Sequence, residues 1–245
     1  MNKHGNRGTR RHIFVSWCLV TVSLFASPLQ AMERLTPHTA EYKVKISVIS
    51  GKLSTELRAT DSGYVAKHVI VPTGAARLFR RGSISETSEF ANSNGGVYPI
   101  AYQSRDSLSK KRTRADITFD WDTNEASGTV NDEEILAVLE GLSHDRVSIQ
   151  YELMHDLLND GPGEQYRLFE VDKLKTLNVR SIGTKEVEVP AGTFSAIGIQ
   201  HQAENSSRVT TLWCVKELDY LPVVIEQHRK GKLRVRATLR NYTPH

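Results

Sequence analysis

Few side chains in this sequence stand at spacings that could do chemistry. Gly192-Thr193-Phe194-Ser195-Ala196-Ile197-Gly198 holds the serine and glycines of a hydrolase nucleophile elbow. That turn needs Gly-x-Ser-x-Gly between a strand and a helix. The spacing here differs and the surroundings alternate like a strand, so Ser195 reads as an ordinary strand residue. His144 and His155 stand eleven residues apart on a helical stretch, about 16 Å along the axis and too far to share an ion. There is no His-Glu-x-x-His and no paired-cysteine motif. His201 and His228, on late strands with Glu226 nearby, form the remaining metal-like cluster, which a solvated face explains better. Glu86 and Glu89, Asp116 and Asp120, and Glu186 and Glu188 could each meet across a sheet. Separation and burial decide acid–base roles, and carboxylates on polar strand faces are mostly solvated. The sequence thus implies no metal and no cofactor, and leans away from catalysis.

Two basic groups remain. Arg105, Lys110, Lys111, Arg112 and Arg114 cluster with Asp106 and Asp116 between two strand-like runs. Arg234, Arg236 and Arg240 make a stripe on one face of the last strand-like run, with Arg229, Lys230 and Lys232 leading into it. An arginine row can grip phosphate or carboxylate through bidentate hydrogen bonds. With Trp213 these three arginines are the candidate ligand-binding set, suited to a lipid-like or anionic envelope molecule. The plain alternative is a solubilising face that blunts a sheet edge.

Whether such a ligand is available depends on compartment. Residues 1–12 carry Lys3, Arg7, Arg10 and Arg11 and no acid, Ile13 to Phe25 is an apolar run, and small residues with Pro28 lead to Ala31. This is the order of a secretory signal peptide, with an apolar run well short of the ~20 residues of a membrane span. An uncleaved anchor is the lesser alternative, and cleavage after Ala26 or Ala31 is left open. Thr9-Arg10-Arg11-His12-Ile13-Phe14 partly resembles a twin-arginine signal; the ordinary secretion route is the preferred reading. The expected location is the periplasm, with no transmembrane segment after cleavage. Of the 32 basic residues these four leave, so 28 stand against 28 acids. The global electrostatic case for nucleic acid goes with them. Cys214 then stands alone, and its place in Val209-Thr210-Thr211-Leu212-Trp213-Cys214-Val215 predicts a buried thiol.

The elements that must position these groups are strands. With 245 residues, 39% hydrophobic and 24% charged, the chain can bury a sizeable core. Tyr42, Val44, Ile46 and Val48 alternate with polar residues, as do Val65–Val71, Ile117–Trp121 and Leu233–Leu239. That is the period of half-buried strands. Asn94-Gly95-Gly96, Asp122-Thr123-Asn124, Pro190-Ala191-Gly192, Asn205-Ser206-Ser207 and Lys230-Gly231-Lys232 supply turns between runs. The pattern predicts a mainly β fold, an antiparallel meander curled into a roll or barrel-like sheet. One amphipathic helix is predicted over 143–159, capped by Ser143, with Val147, Tyr151, Met154, Leu157 and Leu158 on one face and Gly161-Pro162 as its stop. It is expected over an open sheet edge or the mouth of the roll. No linker or fixed repeat divides residues 32–245, which read as a single domain.

Three motifs carry a family resemblance. Asp145-Arg146-Val147-Ser148-Ile149-Gln150-Tyr151 resembles the D-x-x-S-x-x-Y helix start of the bacterial domain-of-unknown-function 3108 family. Glu188-Val189-Pro190-Ala191-Gly192-Thr193-Phe194 is similar to its E-T-P-A-G-T-F turn. Trp213 with Tyr220-Leu221-Pro222-Val223-Val224-Ile225-Glu226 is similar to its late W…L-P-V-R-I-E strand, with Val224 where a basic residue is frequent. The resemblance spans roughly His38 to Tyr242. It implies an exported, mostly β envelope protein with a rolled sheet, and brings no catalytic residues. Three functional classes remain open: non-catalytic binding of an amphipathic or lipid-like envelope molecule, an envelope-assembly module with an unknown protein partner, and, least favoured, a hydrolase acting on envelope polymers.

Overall fold

Alternating side chains and two-residue turns fold this chain into hairpins, each strand pairing with the next. A computed structural model describes residues 1–2, 34–46, 49–79, 81–93, 95–109, 112–159, 161–170 and 173–245. The signal segment expected over 1–31 lies outside the described residues beyond Met1 and Asn2. In Met32–His245 the strands are β1 (His38–Ile46), β2 (Ile49–Thr60), β3 (Gly63–Pro72), β4 (Ile84–Ser93), β5 (Gly96–Asp106), β6 (Thr113–Asp120), β7 (Glu125–Val130) and β8 (Glu133–Val138). After them come β9 (Ser143–His144), β10 (Gln165–Glu170), β11 (Lys173–Val189), β12 (Gly192–Ala203), β13 (Arg208–Val215), β14 (Leu221–Arg229) and β15 (Lys232–Pro244). Helix α1 (Ala76–Phe79) lies between β3 and β4, and α2 (Ser148–Asn159) between β9 and β10.

All fifteen strands form one sheet, in the order β8-β7-β6-β5-β4-β3-β2-β1-β15-β14-β13-β12-β11-β10-β9. The first and last strands meet at its centre, and its open edges, β8 and β9, come from mid-chain. Every pairing is antiparallel except β9 with β10. Tight turns allow this: Asn131-Asp132 and Lys230-Gly231 each put both residues at positive φ, the mirror-image geometry whose twist suits a hairpin. The sheet rolls without closing into a barrel. Phe119 of β6 and Phe169 of β10, far apart in sheet order, meet edge to face at 5.9 Å.

The roll is filled by α2. Tyr151 is fully buried and stacks on Phe90 of β4 at 5.3 Å. Tyr151 and Met154 join the main core, whereas Leu153 and Leu157 join a second cluster with Tyr166, Ile199, Leu212 and Cys214. Cys214 is buried as expected, and burial pushes its thiol far up. The helix begins later than its sequence suggests. Ser143 and His144 form the short strand β9, and the cap is Asp145. Its Oδ1 accepts from the amides of Val147 (2.7 Å) and Ser148 (2.9 Å). Ser148 Oγ accepts from the Asp145 amide at 3.0 Å, and Ser88 Oγ of β4 donates to Asp145 Oδ2 at 2.5 Å. This is a reciprocal capping arrangement with serine in the third helical position. It explains the D-x-x-S-x-x-Y spacing: cap, reciprocal cap, and the aromatic plug one turn on. The helix is also less amphipathic than expected, since Ser148, Glu152 and His155 are buried with its apolar residues.

Asp145→Ala removes the cap and strands a buried Ser88 hydroxyl, so unfolding stability should drop by about 2–3 kcal/mol. Asp145→Asn should retain most of it, as read from the urea midpoint.

Candidate functional site

The second apolar cluster is incompletely filled. Between α2 and the inner face of β10–β14 lies a pocket of about 180 Å³, walled by Ile149 and Leu153 of α2 and by Leu177, Val179, Ile199 and Leu212 of the sheet. These sheet residues share a face because the registers align them: Val179 sits opposite His201, and Ile199 opposite Leu212, itself opposite Ile225. One row further along, the same face carries His201, Thr210 and Gln227, cross-strand neighbours in that order. They line a wider vestibule of about 590 Å³ that shares Arg146, Ile149, Leu177 and His201 with the apolar pocket. The next row is Arg208 opposite Arg229. With Lys230 and Arg234 they surround an outer cleft of about 520 Å³ that shares Arg208, Gln227 and Arg229 with the vestibule. Along this sheet face the cross-strand rows therefore change from aliphatic, through neutral polar, to cationic. Arg146 reaches both the pocket and the vestibule, and Glu170 and Lys175 join it in the vestibule.

The charges on this path are uneven. Glu170 is the carboxylate of the vestibule. Burial pushes its carboxyl up, but the hydrogen bond and charge of Lys175, with Arg146 and Arg208 nearby, prevail and hold it below its usual value. Arg146 also lies 3.3 Å from Glu86, which accepts from Tyr102 Oη at 2.7 Å. Arg208, Arg229, Lys230 and Arg234 make no ion pair among the described residues. Burial lowers His201 to about 4, so its imidazole is neutral near pH 7 and can either donate or accept where the lining turns polar.

The residues singled out from sequence fall in different places. Arg234 lines the outer cleft. Arg236 pairs with Glu226 at 3.5 Å and Arg240 lies 3.9 Å from Glu41, so the stripe does not act as one row. Its rhythm slips twice: Arg234 is the unpaired residue where β14/β15 register shifts between Gln227 and His228. Arg240 occupies the same position where β1/β15 shifts between Glu41 and Tyr42. Such bulges re-aim side chains. Trp213 is buried in the main core, on the sheet face opposite the pocket. Lys185 Nζ stands 3.8 Å over its ring. A Cβ on Gly198, its register partner, would meet the indole at 2.8 Å, so that glycine makes room for the ring. His201 faces the vestibule, while His228 and Glu226 alternate to the other face of β14, so those three do not converge. Ser195 is exposed on the β11–β12 hairpin. The pocket walls and Arg208 were missed in sequence. Their signal was the same-face spacing of Leu177/Val179, Ile199/His201, Arg208/Thr210/Leu212 and Ile225/Gln227/Arg229, legible only once strand register is known.

Carboxyls with raised pKa lie elsewhere. Glu152 Oε2 accepts from the Val97 amide at 2.6 Å, and its Oε1 lies 3.8 Å from His144 Nε2. Burial pushes Glu152 up to about 8 and His144 down to about 3, so neither is charged near neutrality. Glu152 tethers α2 to the start of β5, and Asp145 caps the helix; neither carboxyl lines the pocket.

The model of a family of proteins of unknown function, DUF3108, matches residues 38–238, and the chain belongs to that family. A β-barrel-like protein of Brucella abortus, of domain-of-unknown-function family 1849, aligns with a TM-score of 0.61 at 13% identity, over 87% of this chain and 99% of its own. That likeness shows the fold alone. A Bacteroides fragilis protein with a YmcC-like fold, provisionally named as exported, reaches a TM-score of 0.35 at 11% identity, over 84% of this chain and 95% of its own. No curated relative matches the chain. Among the described residues no helix is long and apolar enough to cross a membrane.

Glu152 binds its proton more tightly folded than unfolded. Its burial therefore costs nothing below about pH 4.5 and costs more as pH rises from there to about 8. Glu152→Gln should lose less stability than the wild type between pH 5.5 and 8. The two urea-derived stabilities should diverge by at most about 1.4 kcal/mol per pH unit.

Proposed function

We propose that this DUF3108 protein is exported to the periplasm behind a cleaved signal peptide, residues 1–31, and there holds a lipid-like amphipathic anion. The apolar part enters the pocket between α2 and β10–β14, and the anionic head rests among Arg208, Arg229, Lys230 and Arg234. One observation carries this reading: three adjoining cavities share lining residues, and the β12–β14 rows along them grade from aliphatic to cationic. An apolar cavity of about 150 Å³ accepts benzene, so the inner pocket of about 180 Å³ suits the end of one acyl chain or a small ring, not a whole two-chain lipid. Four cations that make no ion pair among the described residues, of which Arg208 alone stands near a carboxylate, Glu170, fit a phosphate or carboxylate. Of the residues first suspected, Arg234 serves in this reading, while Arg236, Arg240 and Trp213 already have protein partners. The test is a dansyl-labelled fatty acid titrated into the mature protein. Saturable binding, weakened about tenfold by Arg208→Ala with Arg229→Ala and blocked by Val179→Trp, is expected. No saturable binding would end the proposal.

A second reading, docking of a protein partner by strand addition, draws on the unpaired edge β8, where Leu136 and Val138 are 68% and 71% exposed. There, Leu136→Lys should abolish recovery of one stoichiometric partner while leaving fatty-acid binding unchanged.

A further inference from the structure

An antiparallel meander sends alternate turns to the same end of the sheet, and here the two ends differ in chemistry. At one end Ile46 faces Ile49 at the β1–β2 tip and Val235 on β15. Next to it β3 leaves at Pro72, opposite Gly51, and runs into α1. On the other side the β14–β15 turn comes after Arg229, opposite Lys232. The described residues of the segments that build this sector, 44–52, 70–85 and 228–237, include nine Lys and Arg and no Asp or Glu; of these, Lys52 and Arg236 pair with Glu41 and Glu226 of adjoining strands. These segments also expose large apolar side chains. Leu78 is 76% and Phe79 84% exposed on α1, with Ile46 at 43% and Leu233 at 47%. Exposed cations surround these tips: Lys45, Arg77, Arg81, Lys230 and Lys232. Acids at the same end, Asp106, Asp132, Glu133, Glu170 and Glu204, lie at other strand ends; Asp106 is occupied by the amides of Leu108 and Ser109, and Glu170 is paired with Lys175. The opposite end is acidic on balance, its turns carrying Asp61, Asp122, Glu140, Glu164, Glu217 and Asp219 against Arg34 and Lys216.

We propose that the basic end docks on the surface of an anionic phospholipid bilayer. Leu78 and Phe79 would enter the boundary between headgroups and acyl chains while the surrounding cations contact the headgroups. The chemistry matches from both sides. Separate apolar tips ringed by Lys and Arg suit a broad, soft, anionic surface, where apolar insertion and charge attraction add. A sector whose own segments carry no acid, and whose nearest glutamates are neutralised in pairs with Lys52 and Arg236, avoids the repulsion a mixed surface would meet. Arg229, Lys230 and Arg234 belong both to this end and to the outer cleft, so docking turns the cleft toward the membrane. Exposure and charge alone support this docking, which survives if the pocket proves empty.

Flotation of the mature protein with phosphatidylcholine vesicles, with and without phosphatidylglycerol, tests it. Binding to the phosphatidylglycerol vesicles alone, weakening as salt rises, is expected. Leu78→Ser with Phe79→Ser, and separately Lys230→Glu with Lys232→Glu, should each reduce partitioning at least about tenfold. Both alter exposed side chains, and circular dichroism should match the wild type. The Leu78/Phe79 variant should keep its affinity for the dansyl fatty acid, which separates this proposal from the pocket reading. Equal binding to neutral vesicles, no binding at all, or variants that float like the wild type would overturn it. So would sedimentation showing a dimer that the Leu78/Phe79 variant dissociates, because that face would then join two copies of the chain.

Discussion

A helix can start inside a rolled sheet only if its first amides find acceptors there, and the buried carboxylate of Asp145 provides them. Unpaired amides in a dry interior cost as much as lost hydrogen bonds. Asp145 satisfies two of them, Ser148 returns a bond to the Asp145 amide, and Ser88 ties the cap to β4. Burial pushes the carboxyl up, against the hydrogen bonds that favour its charged form. The rest of the helix is placed by that origin. Tyr151, nearly two turns from the cap, lands against Phe90 and near the His68 ring. Glu152 reaches the Val97 amide, and the helix is held at both β4 and β5.

Placing α2 there divides the interior. One side of the helix packs into the main core; the other, through Leu153 and Leu157, meets β10–β14 less completely. A sheet this wide cannot wrap one helix evenly. The residual space opens toward the end of the strands where apolar rows give way to Thr210, Gln227 and then Arg208 and Arg229. The pocket is thus a consequence of enclosing a single helix in a roll, and its polar gradient arises from strands that run out of the core into solvent. Neutral imidazoles serve the same end. His68, His144 and His201 are lowered to between about 3 and 4 by burial, so the interior carries polar atoms without carrying charge.

The strands were legible in sequence because a two-residue period survives any detail of topology. Tyr42, Val44, Ile117, Phe119, Ala237 and Leu239 point inward as their alternation predicts, whereas Ile46 and Leu233, on the same alternation but at the strand tips, are exposed. Two things were hidden. Ser143 has the chemistry of a cap but pairs beside β10, and only three-dimensional placement promotes Asp145 instead. The arginine stripe reads as continuous because Arg234, Arg236 and Arg240 stand whole two-residue periods apart, yet bulges fall on Arg234 and Arg240. A one-residue slip moves everything beyond it to the other face, so Leu239 and Tyr242, rather than Leu239 and Asn241, meet the buried Tyr42 and Ala40. Parity along a strand identifies a face only between bulges. The binding surface was hidden for a related reason: its rows run across strands, and a row is a property of register.

Charge shows the same limit at larger scale. Past residue 31, bases and acids balance at 28 each, and by composition the molecule has no electrostatic character. The meander sorts those charges by turn. Because successive turns alternate ends, a chain whose acids favour one set and whose bases favour the other becomes strongly polar with no change in its total. Field at a surface depends on charges within about a Debye length, roughly 8–10 Å, not on the molecular sum. The sector around α1 and the β14–β15 turn, where cations outnumber the two paired glutamates Glu41 and Glu226, therefore acts on a neighbouring surface as a cation, whatever lies at the far end. The neutral sum removes the global argument for a polyanionic partner while leaving this local one intact.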